Sequence, residues 1–418
     1  MSSYLNDVHA EGLTTARFIS PPTYYYSPML VLKYVENKYM VVESAENGIT
    51  RGFIVNKVNG ISVANMEDSL RPYLSSGNDA VFHRSVSSLI LNGSPNSTVN
   101  VEFIDNSGAI LSKVLSRSTY IYQQFFYNYY PNDTLKNVAY KKISCGVGYV
   151  NMGILQRNEV SAMYNSLKDA PAIIFDIRNY PNGTVFQIAD FMFPNKTVCA
   201  KFKIPDVNYP GTFYWDSTSF GYNNNSDAYN GKVILLVDEE TQSHAEYSAM
   251  ILKAFPGAMV VGSQTAGADG NVVNFNASWD IKLGYTGVGV YWPDGTNTQR
   301  VGIAVDVASN PTRVKLTARR DEVLEAGLKL ANCFVSDINL LLVNQFNIYP
   351  NPSTGIFKIE TNFSTYTYKI FNSLGKEVSS EVTNESNEID LSGFENGIYT
   401  VVVYHDNQIE SKKITLMR

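Results

Sequence analysis

The sequence predicts a multidomain chain of α/β and β parts: a β-rich module, a central α/β core and a C-terminal β-sandwich. Three observations lead there. At 418 residues, 44% of them hydrophobic, the chain exceeds one ordinary core and holds enough apolar material for two or three. Between about residues 118 and 335, apolar runs alternate with helical patterns, as in an α/β sheet. On either side, short strand-like runs are punctuated by turn residues.

In chain order, "MLVLKYVENKYMVVES" reads as a hairpin around Glu36-Asn37, and "RGFIVNKVNGISV" turns at Asn59-Gly60. "SLRPYL" reads as a short helix, and "STVNVEFIDNSGAILSKVLSR" as a hairpin closed at Asn106-Ser107-Gly108. The core then opens with the strand "VGYVNMG" and the helix "RNEVSAMYNSLKDA", with Val160, Met163 and Leu167 at helical spacing. Strand "AIIFDIR", helix "VFQIADFMF", strand "KVILLVD", a helix after Ser243, and strand "AMVVGS" follow. "RDEVLEAGLKLA" closes it, its acidic first turn and Lys329 suiting the helix dipole. The aromatic, Asn-rich stretch Asp206–Tyr229 is too long for a plain connection and reads as a loop lining a groove or as a surface insertion. After a break at 336–345, "GIFKIET", "YTYKIFN", "EIDLSG", "GIYTVVVYH" and "SKKITL" suggest an antiparallel sandwich.

Composition narrows the function. Net charge is −6 and no Lys/Arg run offers a footprint for nucleic acid or an anionic membrane. No apolar run approaches the roughly 18 residues of a spanning helix. Cys145, Cys199 and Cys333 are too widely spaced for a CxxC motif; they allow at most one disulfide and read as three small buried residues.

The chemistry gathers at "VDEETQSHAEYSAMILKAF", a strand end, a polar turn and a helix beginning at Ser243. A helix start supplies unpaired amides and a positive dipole end beside a serine nucleophile. The local pattern Ser-His-Ala-Glu equally suits a capping box, with Ser243 bonding the Glu246 amide and Glu246 reaching back. "IIFDIRNYPNG" (Ile173–Gly183) and "VVGSQTAGADGN" (Val260–Asn271) each end a strand in a turn whose amides can point outward.

Together, "DIRNYPNG", "QSHAEYSAM", "VVGSQTAGADG" and "GIAVDV" (Gly302–Val307) resemble the four ordered motifs of the C-terminal processing, or tail-specific, serine peptidases. The resemblance spans about residues 4–335 and implies a crotonase/ClpP-like α/β peptidase core with a PDZ-like module, although Phe53 stands where many members carry aspartate. It aligns Ser243 with the nucleophile. The lysine of the Ser–Lys members would fall at Ala268, so that mechanism has no base here. The tricorn-like branch instead takes a histidine from an L-x-D-x-H segment, matched by Leu5, Asp7 and His9. His9 is then the expected general base, its alternative being an ordinary surface histidine. His244 is expected to give its backbone N–H to an oxyanion hole, paired with an amide near Asn182 or Gly183. The branch's glutamate, which orients the histidine, falls nearest Gln299; a glutamine can hydrogen-bond an imidazole but cannot offset its charge. Asp7, only two residues from His9, is a poor candidate for that role.

"NIYPNPSTGIFKIE", "NSLGKEV" and "GFENGIYTVVV" resemble the type A C-terminal sorting domain of the type IX secretion system of Bacteroidota. Tyr349, Pro350, Asn351, Pro352, Gly375, Gly397 and Tyr399 carry the match. That resemblance implies an Ig-like sandwich, the type IX machinery as partner, and export to the cell surface or medium. "MSSYLNDVHAEGL" lacks the features of a signal peptide, so the chain is expected to start internally. The expected organisation is an N-terminal remnant of the core (1–27), a PDZ-like domain (28–117), the peptidase core (118–335), a linker (336–345) and the sorting domain (346–418). The expected function is a secreted serine endopeptidase acting on protein or peptide substrates, with no metal or cofactor. The alternatives are a peptide- or hydrophobic-ligand-binding protein on the same scaffold, and a structural adhesin.

Overall fold

A computed structural model gives the architecture. It describes residues 6–10, 12–14, 26–120, 135, 137–143, 145–278, 281–333, 346–361, 366–373, 375–383, 387–405 and 408–418. Leu5 and the expected 336–345 linker lie outside the described residues. The chain divides into two compact units, Met1–Val335 and Ser336–Arg418.

In the first unit, Leu30–Val35 and Lys38–Ser44 form an antiparallel hairpin with Val35 opposite Lys38. Glu36 and Asn37 turn it at φ 50° and 60°, the left-handed pair that matches a hairpin's twist. Ile54–Val58 returns through Asn59-Gly60 into Ile61–Ser62. Thr98–Ile104 and Ile110–Ser116 complete an antiparallel sheet. The helix expected at "SLRPYL" lies earlier in the chain. It runs Val63–Leu70, capped by the Ser62 side chain on the Asn65 amide, and Pro72, which has no N–H to donate, bars its extension. A second helix, Asp79–Leu89, has no counterpart among the expected elements. Asn78 caps it through the Val81 amide, and it buries Val81, Phe82 and Val86.

The central sheet holds Gly148–Asn151, Ala172–Asp176, Lys232–Val237, Met259–Gly262 and Val307–Ala308 in parallel order, with Tyr140–Lys142 antiparallel at one edge. Every residue of Ala172–Asp176 is buried, which explains its uninterrupted apolar run. Helices Val160–Leu167, Val185–Met192 and His244–Lys253 contribute Val160, Met163, Ile188 and Ala249 to one continuous core. Of the fourth motif, Gly302–Val307, only Val307 enters a strand, Val307–Ala308, paired with Val261 and Gly262. Asp306 is diverted: its carboxylate accepts the Val260 amide at 2.7 Å and Lys253 Nζ at 2.6 Å. Cys145 and Cys333 form a disulfide, so the reading of three small buried thiols holds for Cys199 alone.

Asp206–Tyr229 is no simple loop. Phe213–Phe220 is a strand, paired antiparallel with Thr197–Pro205. Phe213, Tyr214 and Trp215 in succession are about half exposed, so the alternation that marks a strand is missing. A second hairpin, Val272–Ser278 with Ile281–Thr286, carries Gly12–Thr14 along its edge. That pairing brings the chain's N-terminal segment to Thr286.

The β-rich module grips the core's loops directly. Lys33 Nζ lies 3.0 Å from Asp238 and 2.7 Å from Glu239. Arg84 donates to the Glu239 carbonyl at 2.6 Å, and Asn78 Nδ2 to the Thr265 and Ala266 carbonyls at 2.9 and 3.1 Å.

The second unit contains two sheets. One orders Phe346–Tyr349, Ile356–Thr361 and Glu388–Asp390; the other Glu377–Thr383, Tyr366–Phe371, Gly397–His405 and Gln408–Leu416. Phe357, Ile370, Val401 and Ile414 share their core. Following Tyr349 and Pro350, Asn351 clasps the last strand, donating to the Lys413 carbonyl and accepting the Thr415 amide, and Pro352 leads into Ser353. Gly375 takes φ +77° in the Asn372–Lys376 turn, where a side chain would be strained. Gly397 opens its strand opposite Leu416, and Tyr399 donates its hydroxyl to the Glu395 carbonyl.

Candidate active site

Ser243 stands between the strand Lys232–Val237 and the helix His244–Lys253. Its backbone adopts φ 54°, ψ −119°, a region costly for any residue with a Cβ and found where surrounding structure enforces it. The enforcement is visible. Ser243 N–H donates to the Ala268 carbonyl at 3.0 Å, and its carbonyl accepts the Tyr247 amide at 2.9 Å. The Ser243 side chain makes no capping hydrogen bond, so the half of the capping box that would occupy its hydroxyl is not formed. Glu246, 1% exposed, accepts Thr265 Oγ1 at 2.5 Å and the Gly267 and Ala268 amides at 2.8 Å each. Burial raises its pKa, and hydrogen bonds from Thr265, Ala268, Gly267 and the Ser243 backbone pull it back. The carboxylate therefore ties the third motif's turn to the start of the Ser243 helix.

The turn after Ala172–Asp176 is anchored from beneath. Arg178 donates to Asp176 at 2.6 and 2.9 Å and to Asp321 at 2.8 Å, with all three side chains buried. Burial opposes the Arg178 charge, but the two carboxylates overcome it and raise its pKa above the ordinary arginine value. Asn182 Nδ2 donates to the Gly153 and Leu155 carbonyls at 2.9 and 3.2 Å. Gly183 has φ +70°, and a Cβ there would meet the Arg157 guanidinium at 2.6 Å. Among the described residues, the backbone N–H groups of Asn182, Gly183 and His244 have no intramolecular acceptor. The His244 ring sits beside Phe186 and Tyr180, at 5.7 and 6.2 Å between centroids. Burial, helped by Arg157, lowers its pKa, and its Nε2 is buried without a partner.

The segment that carries His9 reaches the third motif's turn from the far end of the chain. Val8, next to His9, packs against Ala266, Ala268 and Val81, and Ala268 is the residue whose carbonyl holds the Ser243 amide. Ser75 Oγ donates to the Asp7 carbonyl at 2.6 Å, and Arg300 Nε to the Asn6 carbonyl at 3.2 Å. His9 Nδ1 lies 3.0 Å from Thr286 Oγ1. Burial lowers the His9 pKa, and Asp7 partly opposes that. No hydrogen bond joins Ser243 to His9 among the described residues. Gln299 Nε2 reaches Asp7 Oδ1 at 3.3 Å rather than the imidazole. Asp7, passed over for its closeness in sequence, is buried and accepts Thr286 N–H at 2.8 Å, Thr286 Oγ1 at 2.9 Å and the His9 amide at 3.0 Å. Thr286 carried no sequence signal, since it lies in a hairpin outside all four motifs.

Asp269 follows Ala268. It is 5% exposed, one carboxylate oxygen has no partner, and burial, together with Glu246, pushes its pKa up to about 8.

Residues 146–309 match the model of Peptidase family S41, and residues 347–417 that of the Secretion system C-terminal sorting domain. None of the curated proteins matches the chain. Among solved structures, mature CPAF complexed with lactacystin is similar at TM-score 0.61 and 13% identity, over 81% of this chain and 87% of that one. Mature CPAF is similar at TM-score 0.59 and 12% identity, over 81% and 86%. At such identities the likeness is one of fold. The chain is thus similar to peptidase family S41 over residues 146–309 and to the secretion system C-terminal sorting domain over residues 347–417.

Proposed function

We propose that the protein is an exported serine endopeptidase that cuts protein or peptide substrates through an acyl-enzyme on Ser243. The observation that carries this is Ser243's backbone: it holds a strained conformation at a helix start, with its side chain free of the cap that would otherwise explain it. In the proposed cycle, His9 Nε2 removes the Ser243 proton as Oγ attacks the scissile carbonyl. The amides of His244 and of Asn182 or Gly183 receive the developing oxyanion. Collapse expels the amine, protonated by His9, and a water then releases the acyl group by the same steps. His244's imidazole takes no part, since it lies among aromatic rings.

The β-rich module is read as PDZ-like: helix Asp79–Leu89 lies beside the edge strand Leu30–Val35, the arrangement in which a peptide can be added as a strand. The tail is read as an Ig-like sandwich recognised by the type IX machinery, which implies secretion or surface display. Among the described residues no helix is long and apolar enough to cross a membrane.

A fluorophosphonate probe tests the dyad. The wild-type protein should label, and Ser243→Ala and His9→Ala should not. A folded wild type that resists labelling overturns the peptidase reading and leaves a ligand-binding scaffold.

A further inference from the structure

We propose that Asp7, acting through the Thr286 hydroxyl, positions His9 in its Nδ1-protonated form, and that Gln299 serves by steadying Asp7. This rests on the reading of His9 as base. It assigns the orienting role to a hydroxyl-bridged carboxylate and gives Gln299 a different task from that of the glutamate it replaces.

The argument is a count of protons. Thr286 Oγ1 lies 2.9 Å from Asp7 Oδ1 and 3.0 Å from His9 Nδ1, and a hydroxyl has one proton to give. Asp7 already accepts the Thr286 amide on Oδ2, and the His9 amide and Gln299 on Oδ1. An ionised carboxylate can only accept, so the hydroxyl proton must point at Asp7. The lone pair of Oγ1 then faces Nδ1, which must carry a proton to bond it. The reverse arrangement would leave two oxygen acceptors 2.9 Å apart with nothing between them. With Nδ1 protonated, Nε2 holds the free lone pair, the form a base needs. When Nε2 takes up the Ser243 proton, the bond to Thr286 persists and Asp7 offsets the imidazolium charge at one remove.

Gln299 fits this arrangement better than a glutamate would. Its amide donates to Asp7 at 3.3 Å; a carboxylate there would set two like charges in contact. Thr286 is delivered by the hairpin edge that also holds Gly12–Thr14, so the N-terminal segment and its orienting hydroxyl arrive together.

The test uses the full chain with 15N-labelled histidine. Long-range 1H–15N correlations at pH 8 read the tautomer of His9, with His9→Ala identifying its signals. Nδ1-protonated His9 is expected in the wild type, shifting toward the Nε2-protonated form in Thr286→Val and restored in Thr286→Ser. In parallel, the fluorophosphonate labelling rate should fall about 10- to 100-fold in Thr286→Val and Asp7→Asn, less than the roughly 10²–10⁴ supplied by a positioned base itself. Thr286→Ser should recover most of it, and Gln299→Glu should slow labelling rather than speed it. An Nε2-protonated His9 in the wild type, or faster labelling in Gln299→Glu, overturns the proposal. The tautomer is read on the resting protein, so the outcomes separate. Nδ1-protonated His9 in a protein that never labels sinks the peptidase reading alone, and a labelling protein with the other tautomer sinks the relay alone.

Discussion

Replacing Glu246 with alanine removes the acceptor of the three hydrogen bonds that reach it from the third motif's turn, from Thr265 Oγ1 and the Gly267 and Ala268 amides. Thr265, Ala266 and Ala268 are fully buried, so bulk water does not reach the orphaned donors. Each buried donor left unpaired costs about 1–3 kcal/mol. Two effects reduce the sum. A water can fill part of the space vacated by the side chain and satisfy a donor, and the buried charge, whose pKa burial has raised, is itself expensive to hold. The expected loss is about 3–5 kcal/mol. Urea denaturation followed by tryptophan fluorescence reads it as a lower midpoint. Glu246→Gln keeps one acceptor oxygen but turns an amide NH2 toward a backbone N–H, so its loss should be smaller. Probe labelling of the folded fraction should fall with both, since the Ala268 carbonyl that holds Ser243 N–H belongs to the same turn. A loss under about 1 kcal/mol for the alanine variant would refute the view that this carboxylate organises the turn.

Three further outcomes are expected. Because burial lowers the His9 pKa below its ordinary 6.5, labelling should reach its plateau by pH 7 and decline only as the imidazole protonates at lower pH; a midpoint above 7 in the pH–rate profile would contradict this. Asp269, with its pKa raised to about 8, binds more protons folded than unfolded. Its contribution is therefore complete below about pH 4 and is lost as pH rises toward 8. Asp269→Asn should remove that loss, so denaturation at pH 6 and pH 9 should differ less in the variant than in the wild type. Cys333→Ser opens a disulfide spanning 188 residues. The chain-entropy model sets its worth near 5 kcal/mol and measured cases run about 2–4, so a thermal midpoint unchanged from wild type would count against the bond.

The parallel sheet was readable because its strands are short apolar runs between helical patterns, and Ala172–Asp176, buried at every residue, has no polar position to blur the signal. Asn78, with Val81, Phe82 and Val86 behind it, is a helix start written in the sequence, set directly after the turn residues Ser75, Ser76 and Gly77. Phe213–Phe220 could not be recognised from alternation, since successive aromatics stay exposed on both faces. In the candidate site, Ser243 and the Asn182-Gly183 turn are local features, each written in one strand, one turn and one helix. The environment of His9 is not local. Thr286 lies 277 residues from it, on a hairpin that carries none of the motifs, and only folding shows that Asp7 and Gln299 meet. Sequence distance also misled in the other direction. Asp7, too near His9 to reach its ring directly, reaches it through a hydroxyl supplied from elsewhere.

The Cys145–Cys333 bond has a consequence for the order of events in the protein's life. It closes the α/β core from just before the strand Gly148–Asn151 to just after the helix Glu322–Leu330. Both cysteines precede the Ser336–Arg418 unit in the chain, so a cut that released that unit would leave the staple whole. Disulfides form and persist in oxidising surroundings and are rare in reducing ones. On the proposed route of export, oxidation would act as a latch on the core.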